Sequence, residues 1–252
     1  MTVVTPRSRL RRAVIAALAL HRGTPVSVGR LADLLWDNPP SSAAANLRSI
    51  ISTLRREFDM IHQGESKKLR TVLHDGYQLD LSAHALDLDQ FRALAVDARH
   101  NIRNGAASQA IGLCRQAMRL WRGPFGTGLP ASRWLDGQAV AVNAAYRDVK
   151  RDYFTARLLA NDWHLLTAEI QTLLGECVDS DRTWQLAMIA QFHANGAAAG
   201  LRSFEQCRQH YRETLGLDPP TETFRLHRAF LTRDSKQIGE ILRAPYQRAD
   251  SI

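Results

Sequence analysis

Cysteine is scarce: Cys114, Cys177 and Cys207 are an odd number, widely spaced, with no C-x-x-C pair among them. That excludes a disulfide framework and a zinc ribbon, fits a reducing cytosol, and leaves the three as small buried apolar groups. Long apolar runs are absent as well. The eight residues Ala13–Leu20, behind a basic start, loosely imitate a signal peptide, but Arg22 follows at once and no small-x-small cleavage site succeeds them. They read as a buried helix, and nothing else approaches the length of a membrane span. Catalytic signatures are missing too: no G-x-x-x-x-G-K-[ST] loop, no G-x-S-x-G elbow and no H-E-x-x-H occurs. "GPFGTG" lacks the lysine and preceding strand of a phosphate cradle, and the nine histidines form no pair at helical metal-ligand spacing. No enzyme, metal or cofactor is therefore expected. Trp121, Trp134, Trp163 and Trp184 lie on or beside apolar helical stripes, where core packing explains them better than a ligand cage.

What the chain has instead is positive charge. The 252 residues carry a net +8, of which residues 1–81 hold +5. A basic excess concentrated in the first third points to a polyanionic partner, nucleic acid or an anionic membrane surface.

That first third reads as three helices and a hairpin. Arg9–His21 is an apolar helix ending before Gly23, "TPVSV" is extended, and Ser27 is placed to cap a helix over Val28–Trp36 with Val28, Leu31, Leu34 and Leu35 on one stripe. Pro39 and Pro40 interrupt, and Ser41 or Ser42 can cap a third helix over "SSAAANLRSIISTLRREFDM". At about 100° per residue, Leu47, Ile50, Ile51, Leu54 and Phe58 share one side of it. Arg48, Ser49, Ser52, Arg55 and Arg56 fall opposite, beside Ala45. Leu69–Val72 and Tyr77–Leu81 can pair as strands through the turn "HDG", with Gly76 tolerating a positive φ. Three helices and a β-hairpin make the winged variant of the helix-turn-helix, whose third helix enters the DNA major groove. The outward arginines and serines are then suited to phosphates and base edges, where an isolated helix of this kind would simply be solvated.

From Leu86 onward the pattern is helical. One pair of helices turns at Asn104-Gly105, residues 122–138 form a long connection, and two further pairs turn at 160–162 and 194–196. That recurrence at 34 residues is the period of tetratricopeptide repeats. "TETFRLHRAFL" reads as a final capping helix, and 234–252 as a loosely attached tail. The expected fold is mostly α: a winged helix-turn-helix with a small β-hairpin wing over 1–85, then a tetratricopeptide-like helical domain over 86–233.

The stretches "GTPVSVGRLADLLW", "PPSSAAANLRSIISTLRREF", "LRTVLHDGYQLD", "LDLDQFRAL", "AMRLWRGP" and "LGLDPPTETFRLHRAFL", in this order and spacing, resemble the Streptomyces antibiotic regulatory protein (SARP) family across roughly residues 9–231. Its members join an OmpR-type winged helix to a bacterial transcriptional activator domain. The resemblance implies a cytoplasmic, sequence-specific activator of a secondary-metabolite biosynthetic gene cluster that binds direct repeats near promoters as a homodimer and recruits RNA polymerase holoenzyme. It implies DNA-facing residues at Arg48, Ser49, Ser52, Thr53, Arg55 and Arg56, with Lys67, Lys68, Arg70 and His74 in and beside the wing. Asp37, Asn38 and Ser41, in the turn before the third helix, would face polymerase. Three departures stand out. Only "MTVVTP" precedes the first helix where the family has a small sheet, so either the start lies upstream of Met1 or part of that sheet is lacking. Thr53 and Leu73 replace residues that are often basic, and Asp75 places a negative charge at the wing tip. The rival reading is a tetratricopeptide-type adaptor with a degenerate winged helix, which has no reason to keep three arginines on one exposed face.

Overall fold

The computed structural model describes residues 6, 8–72, 75–82, 86–163 and 165–247. The first five residues of the chain, ahead of the first helix, lie outside the described residues, as do Leu73 and, in the expected turn, His74. Contacts group the chain into two compact units that do not follow chain order: residues 1–90 with 122–145, and residues 91–121 with 146–252.

In the first unit, α1 (Arg9–Leu20), α2 (Val28–Leu35) and α3 (Ala43–Ile61) enclose one core. The apolar stripes read from the sequence are the buried ones: Val28, Leu31, Leu34 and Leu35 from α2 meet Leu47, Ile51 and Leu54 from α3, with Ile50 and Phe58 partly buried at the margin. Ser27 caps α2 as expected, its hydroxyl accepting from the Arg30 amide at 3.2 Å. Ser42 occupies the N-cap of α3 without a side-chain cap; its hydroxyl accepts from the Asn46 side chain instead.

A three-stranded antiparallel sheet closes the unit, ordered β1 (Val26–Ser27), β3 (Gly76–Leu79), β2 (Leu69–Val72). The "TPVSV" segment is thus a third strand on the hairpin, with Val26 opposite Tyr77. Gly76 does not adopt the positive φ expected of it. It sits in the central strand, where an added Cβ would stand 3.0 Å from the Val72 carbonyl oxygen and 3.2 Å from that of Val26. Its role is clearance between three strands.

Of the expected connection 122–138, residues 133–138 are instead the first turns of the helix Arg133–Leu159, and the stretch before them is packed rather than loose. Leu135 is buried in the first core, Leu129 and Trp134 pack on it, and Arg12 donates to the Gly128 carbonyl at 3.0 Å. Gly128 itself has φ +74°, a value that favours glycine.

The second unit is helical throughout. It comprises most of α4 (Asp87–Arg103), α5 (Ala107–Leu120), the later part of α6 (Arg133–Leu159), α7 (Leu166–Glu176), α8 (Asp181–Asn195), α9 (Ala197–His210), α10 (Thr221–Thr232) and α11 (Ser235–Gln247). The chain reverses at Asn104-Gly105 and at Gly196, and α7, α8, α9, α10 and α11 each pack on the next. α8 and α9 approach closely because Gly200 offers no side chain: a Cβ there would meet Phe192 at 3.0 Å and the Phe230 ring at 3.2 Å. The fold class read from the sequence is the fold found.

A further expectation is overturned at the C-terminal end. Residues 235–247 are not part of a loose tail, because they form α11 and bury Ile238, Ile241, Leu242 and Tyr246, while 248–252 lie outside the described residues. Pro245 lies inside this helix and lacks the amide that would bond the Ile241 carbonyl. Arg182 replaces it, donating to the Ile241 and Leu242 carbonyls at 3.2 and 2.7 Å.

Candidate nucleic-acid interface

The site is one face of α3 and the hairpin beside it. With Leu47, Ile51 and Leu54 wholly buried, the helical period leaves Ala45, Arg48, Ser49, Ser52 and Arg56 exposed. Arg48 and Arg56 stand two turns apart, a rise of about 12 Å, comparable with the width of a B-DNA major groove at about 12 Å. Ala45, Ser49 and Ser52 keep the surface between them low.

The arginines are not equivalent. Arg48 reaches across to Asp75 at 3.2 Å, both side chains more than half exposed. Such a surface pair contributes about 0–1 kcal/mol, so a phosphate or guanine edge can displace the aspartate. Arg56 is exposed and lies 3.4 Å from the Thr53 hydroxyl, whose own proton is given to the Ser49 carbonyl at 3.0 Å. Thr53 is half-buried and steadies Arg56. Arg55 departs from the outward placement expected of it. It is half-buried, its Nε donating to the Leu69 carbonyl at 2.9 Å and its guanidinium to the Thr71 hydroxyl at 2.8 Å. It ties the recognition helix to the wing.

The wing and its approach carry the remaining cations. After α3, a 3-10 turn over Glu65–Lys68 presents Lys67 and Lys68 to solvent, with Lys68 2.6 Å from Glu65. Asp59 organises this turn, accepting from the Gly64 and Ser66 amides at 3.1 and 3.0 Å. The Ser66 amide and hydroxyl, the Gly64 amide and nearby Lys67 hold the Asp59 carboxyl below the ordinary carboxylate range. Arg70 is exposed on β2 and pairs with Asp80 at 3.3 Å. His74 lies outside the described residues.

The turn between α2 and α3 divides likewise. Asn38 and Ser41 are exposed. Asp37 accepts from the Arg133 amide at 2.9 Å, and next to it the buried Ser132 hydroxyl donates to the Leu34 carbonyl at 2.8 Å while accepting from the Leu135 amide. The start of α6 thus braces the end of α2 from about a hundred residues away. Sequence reading missed Asp59, Thr71 and Ser132 as supports. Only Asp59 had a local signal, a carboxylate at a helix end shortly before a glycine.

Comparisons with known proteins bear on the family and the fold. The family described as bacterial transcriptional activator domain matches residues 86–231, and the one described as transcriptional regulatory protein, C terminal, matches residues 5–79. The regulatory protein DnrI of Streptomyces peucetius is 28% identical over 243 residues, 92% of this chain and 88% of its own. The transcriptional regulator RedD of Streptomyces coelicolor is 26% identical over 251 residues, 95% of this chain and 69% of its own. Among solved structures, Mycobacterium tuberculosis EmbR in complex with low affinity phosphopeptide superposes with a TM-score of 0.88 at 23% identity. The match covers 97% of this chain and 64% of that one, and concerns the fold.

Proposed function

The chain belongs to the bacterial transcriptional activator domain family, as a DNA-binding activator of the Streptomyces antibiotic regulatory protein kind, and on that premise we propose that it reads duplex DNA with the outer face of α3. The observation that carries the reading is the division of that helix: Leu47, Ile51 and Leu54 fully buried, Arg48, Ser49, Ser52 and Arg56 exposed along one line. Arg48 and Arg56 contact guanine edges or phosphates, and the serines take either. Thr53 and Arg55 act as positioning residues, one for Arg56 and one for the wing. Lys67, Lys68 and Arg70 meet flanking phosphates. The DNA contacts lie within residues 1–85, and the helical region from 86 supplies dimer contacts, activation or both.

Two copies bind direct repeats near a promoter, and the exposed Asn38 and Ser41, with Asp37 fixing the turn behind them, face RNA polymerase holoenzyme. The regulated genes are a secondary-metabolite biosynthetic cluster, and the protein works in the cytoplasm, on the nucleoid when bound. Regulators of this family are in general not enzymes, and this chain acts by binding alone. No described helix is long and apolar enough to cross a membrane. An adaptor role for the helical repeats is not favoured beside relatives named as transcriptional regulators.

The test is a titration of the full chain on a promoter fragment holding direct repeats and on a shuffled duplex, between about 50 and 200 mM salt. The expected result is tighter binding to the repeats and a log–log slope of several units, near −0.9 for each phosphate neutralised. Equal affinity for both duplexes, or a flat salt response, contradicts the proposal.

A further inference from the structure

The second unit carries an open groove of about 560 Å³ between α9 and α10, on a surface that the DNA-reading function does not use. Ala198, Leu201, Arg202 and Glu205 line it from α9, and His227 and Leu231 from α10. The helical period brings them together, since residues three, four and seven apart share one face. Beneath the groove the two helices are locked. Gly200 lets the Phe230 ring lie against α9, where a Cβ would stand 3.2 Å from it, and buried Phe204 stacks on the His227 ring with centroids 4.1 Å apart. The groove walls are therefore fixed by the packed interior.

This surface is apolar where a helix face in water is ordinarily polar. Leu231 is 61% exposed, and Phe224, two turns earlier on the same stripe of α10, is 41% exposed. Exposed apolar side chains scattered singly need no explanation, but here two share a stripe and the half-buried Leu201 faces Leu231 across a concavity. The charge at the rim is of one sign. Glu205 is already taken by Arg208 at 2.6 Å. Arg202, one turn from it on the groove wall, and Arg228, on the α10 stripe between Phe224 and Leu231, are exposed and have no carboxylate partner among the described residues. Cations of this kind draw negative charge towards a floor that itself takes apolar side chains.

We infer that this groove receives an acidic amphipathic helix of a partner protein, its apolar stripe on Leu201, Leu231 and Phe224 and its carboxylates towards Arg202 and Arg228. The α10 stripe from Phe224 to Leu231 spans about 10 Å, or about two helical turns, the reach of anchors at i, i+3 or i+4 and i+7. A second copy of this chain docked through the same face would set Arg202 and Arg228 against their own counterparts, which opposes pairing. Duplex DNA offers phosphates to the arginines but leaves Leu201 and Leu231 without apolar partners. An occupant both acidic and apolar satisfies the two features together.

Docking here is independent of the DNA-reading face, and the winged helix stays free for the duplex. Fluorescence anisotropy on the full chain tests it, with a labelled peptide of about 14 residues, about four helical turns, carrying leucines at i, i+3, i+4 and i+7 and glutamates elsewhere. It should bind saturably. A peptide with the same leucines and lysines in place of the glutamates should bind at least about tenfold more weakly, as should the acidic peptide with its leucines scrambled. Leu231→Ala should weaken the acidic peptide by about fivefold or more, because an anchor is truncated while the exposed position leaves the fold intact. Arg202→Glu should weaken the acidic peptide and strengthen the lysine one. Arg48→Ala should bind the acidic peptide like the parent. No saturable binding, equal binding of the acidic and lysine peptides, or the parent's affinity in Leu231→Ala would overturn the inference. Loss of binding in Arg48→Ala would also overturn it, by moving the peptide to α3. So would self-association in sedimentation that Leu231→Glu abolishes, which would give the groove to a second copy.

Discussion

Arginine serves two opposite purposes in the two units. On α3, Arg48 and Arg56 are exposed, and among the described residues their partners are weak ones, Asp75 at 3.2 Å and the Thr53 hydroxyl at 3.4 Å. In the helical unit, the Arg157 side chain is 6% exposed and grips Asp162 at 2.8 Å and Glu169 at 2.9 Å, closing the turn between α6 and α7. An exposed cation with an exchangeable partner is available to an incoming anion. An enclosed one is part of the scaffold, and removing it strands its partners. Net charge alone cannot tell these apart.

The comparison is sharpened first where the effect is largest. Leu54→Ala, beneath the arginine face, leaves a cavity in a fully buried site and should lower the stability of the first unit by about 2–5 kcal/mol. Chemical denaturation followed by circular dichroism measures it, and DNA binding should fail along with the fold. Arg157→Ala comes next, at about 1.5–3 kcal/mol for hydrogen bonds to charged groups. The lower end is expected, because Asp162 and Glu169 are 39% and 42% exposed and regain water. Affinity of the folded variant for DNA should not change. If Arg157→Ala weakens DNA binding as much as an α3 variant does, the two roles are not separate.

Asp75→Asn should act in the other direction. It frees Arg48 and removes a negative charge from the wing, so DNA should bind more tightly by about 0.2–1 kcal/mol, up to about fivefold. Weaker binding would mean that Asp75 orients Arg48 for its target. The smallest effect is one of pH. His193 stacks on Trp163 at 4.1 Å, and desolvation pulls its pKa below the ordinary 6.5. The folded state therefore favours the neutral ring, and the unfolded chain takes the proton more readily. Stability from this group is present above about pH 6.5 and declines as pH falls below it. A melting series from pH 7.5 to 5.5 should show a modest loss in the parent that is reduced in His193→Gln.

Much of this was legible because burial is periodic. The stripes on α2 and α3 announced their helices, and the outward arginines followed from the same period. Arg55 shows the limit of that reasoning. Its angular position beside Arg48 predicts exposure, but its long side chain folds back to Leu69 and Thr71 of the wing, a contact set by tertiary packing. Residues 122–138 concealed their packing behind four glycines, although Leu129, Trp134 and Leu135 supplied the apolar anchors. α11 was not read from the sequence, although Ile238, Ile241 and Leu242 have helical spacing. What a distant arginine can do for an orphaned carbonyl is not written locally. Gly76 was marked for the right position and the wrong reason, since crowding by strands on both sides depends on β1 joining the hairpin.

The central claim is that the outer face of α3 reads DNA, and Arg48→Ala tests it most directly. Alanine favours the helix and Arg48 has no core contact, so the fold should persist. Salt-dependent titrations of the variant and the parent on the direct-repeat duplex give the answer. If Arg48 contacts a guanine edge, the specific site should weaken by about 1–3 kcal/mol with relaxed preference at one base pair. If it contacts phosphate, all sequences should weaken alike and the salt slope should fall by about one. A folded Arg48→Ala protein with the parent's affinity, base preference and salt slope would contradict the account.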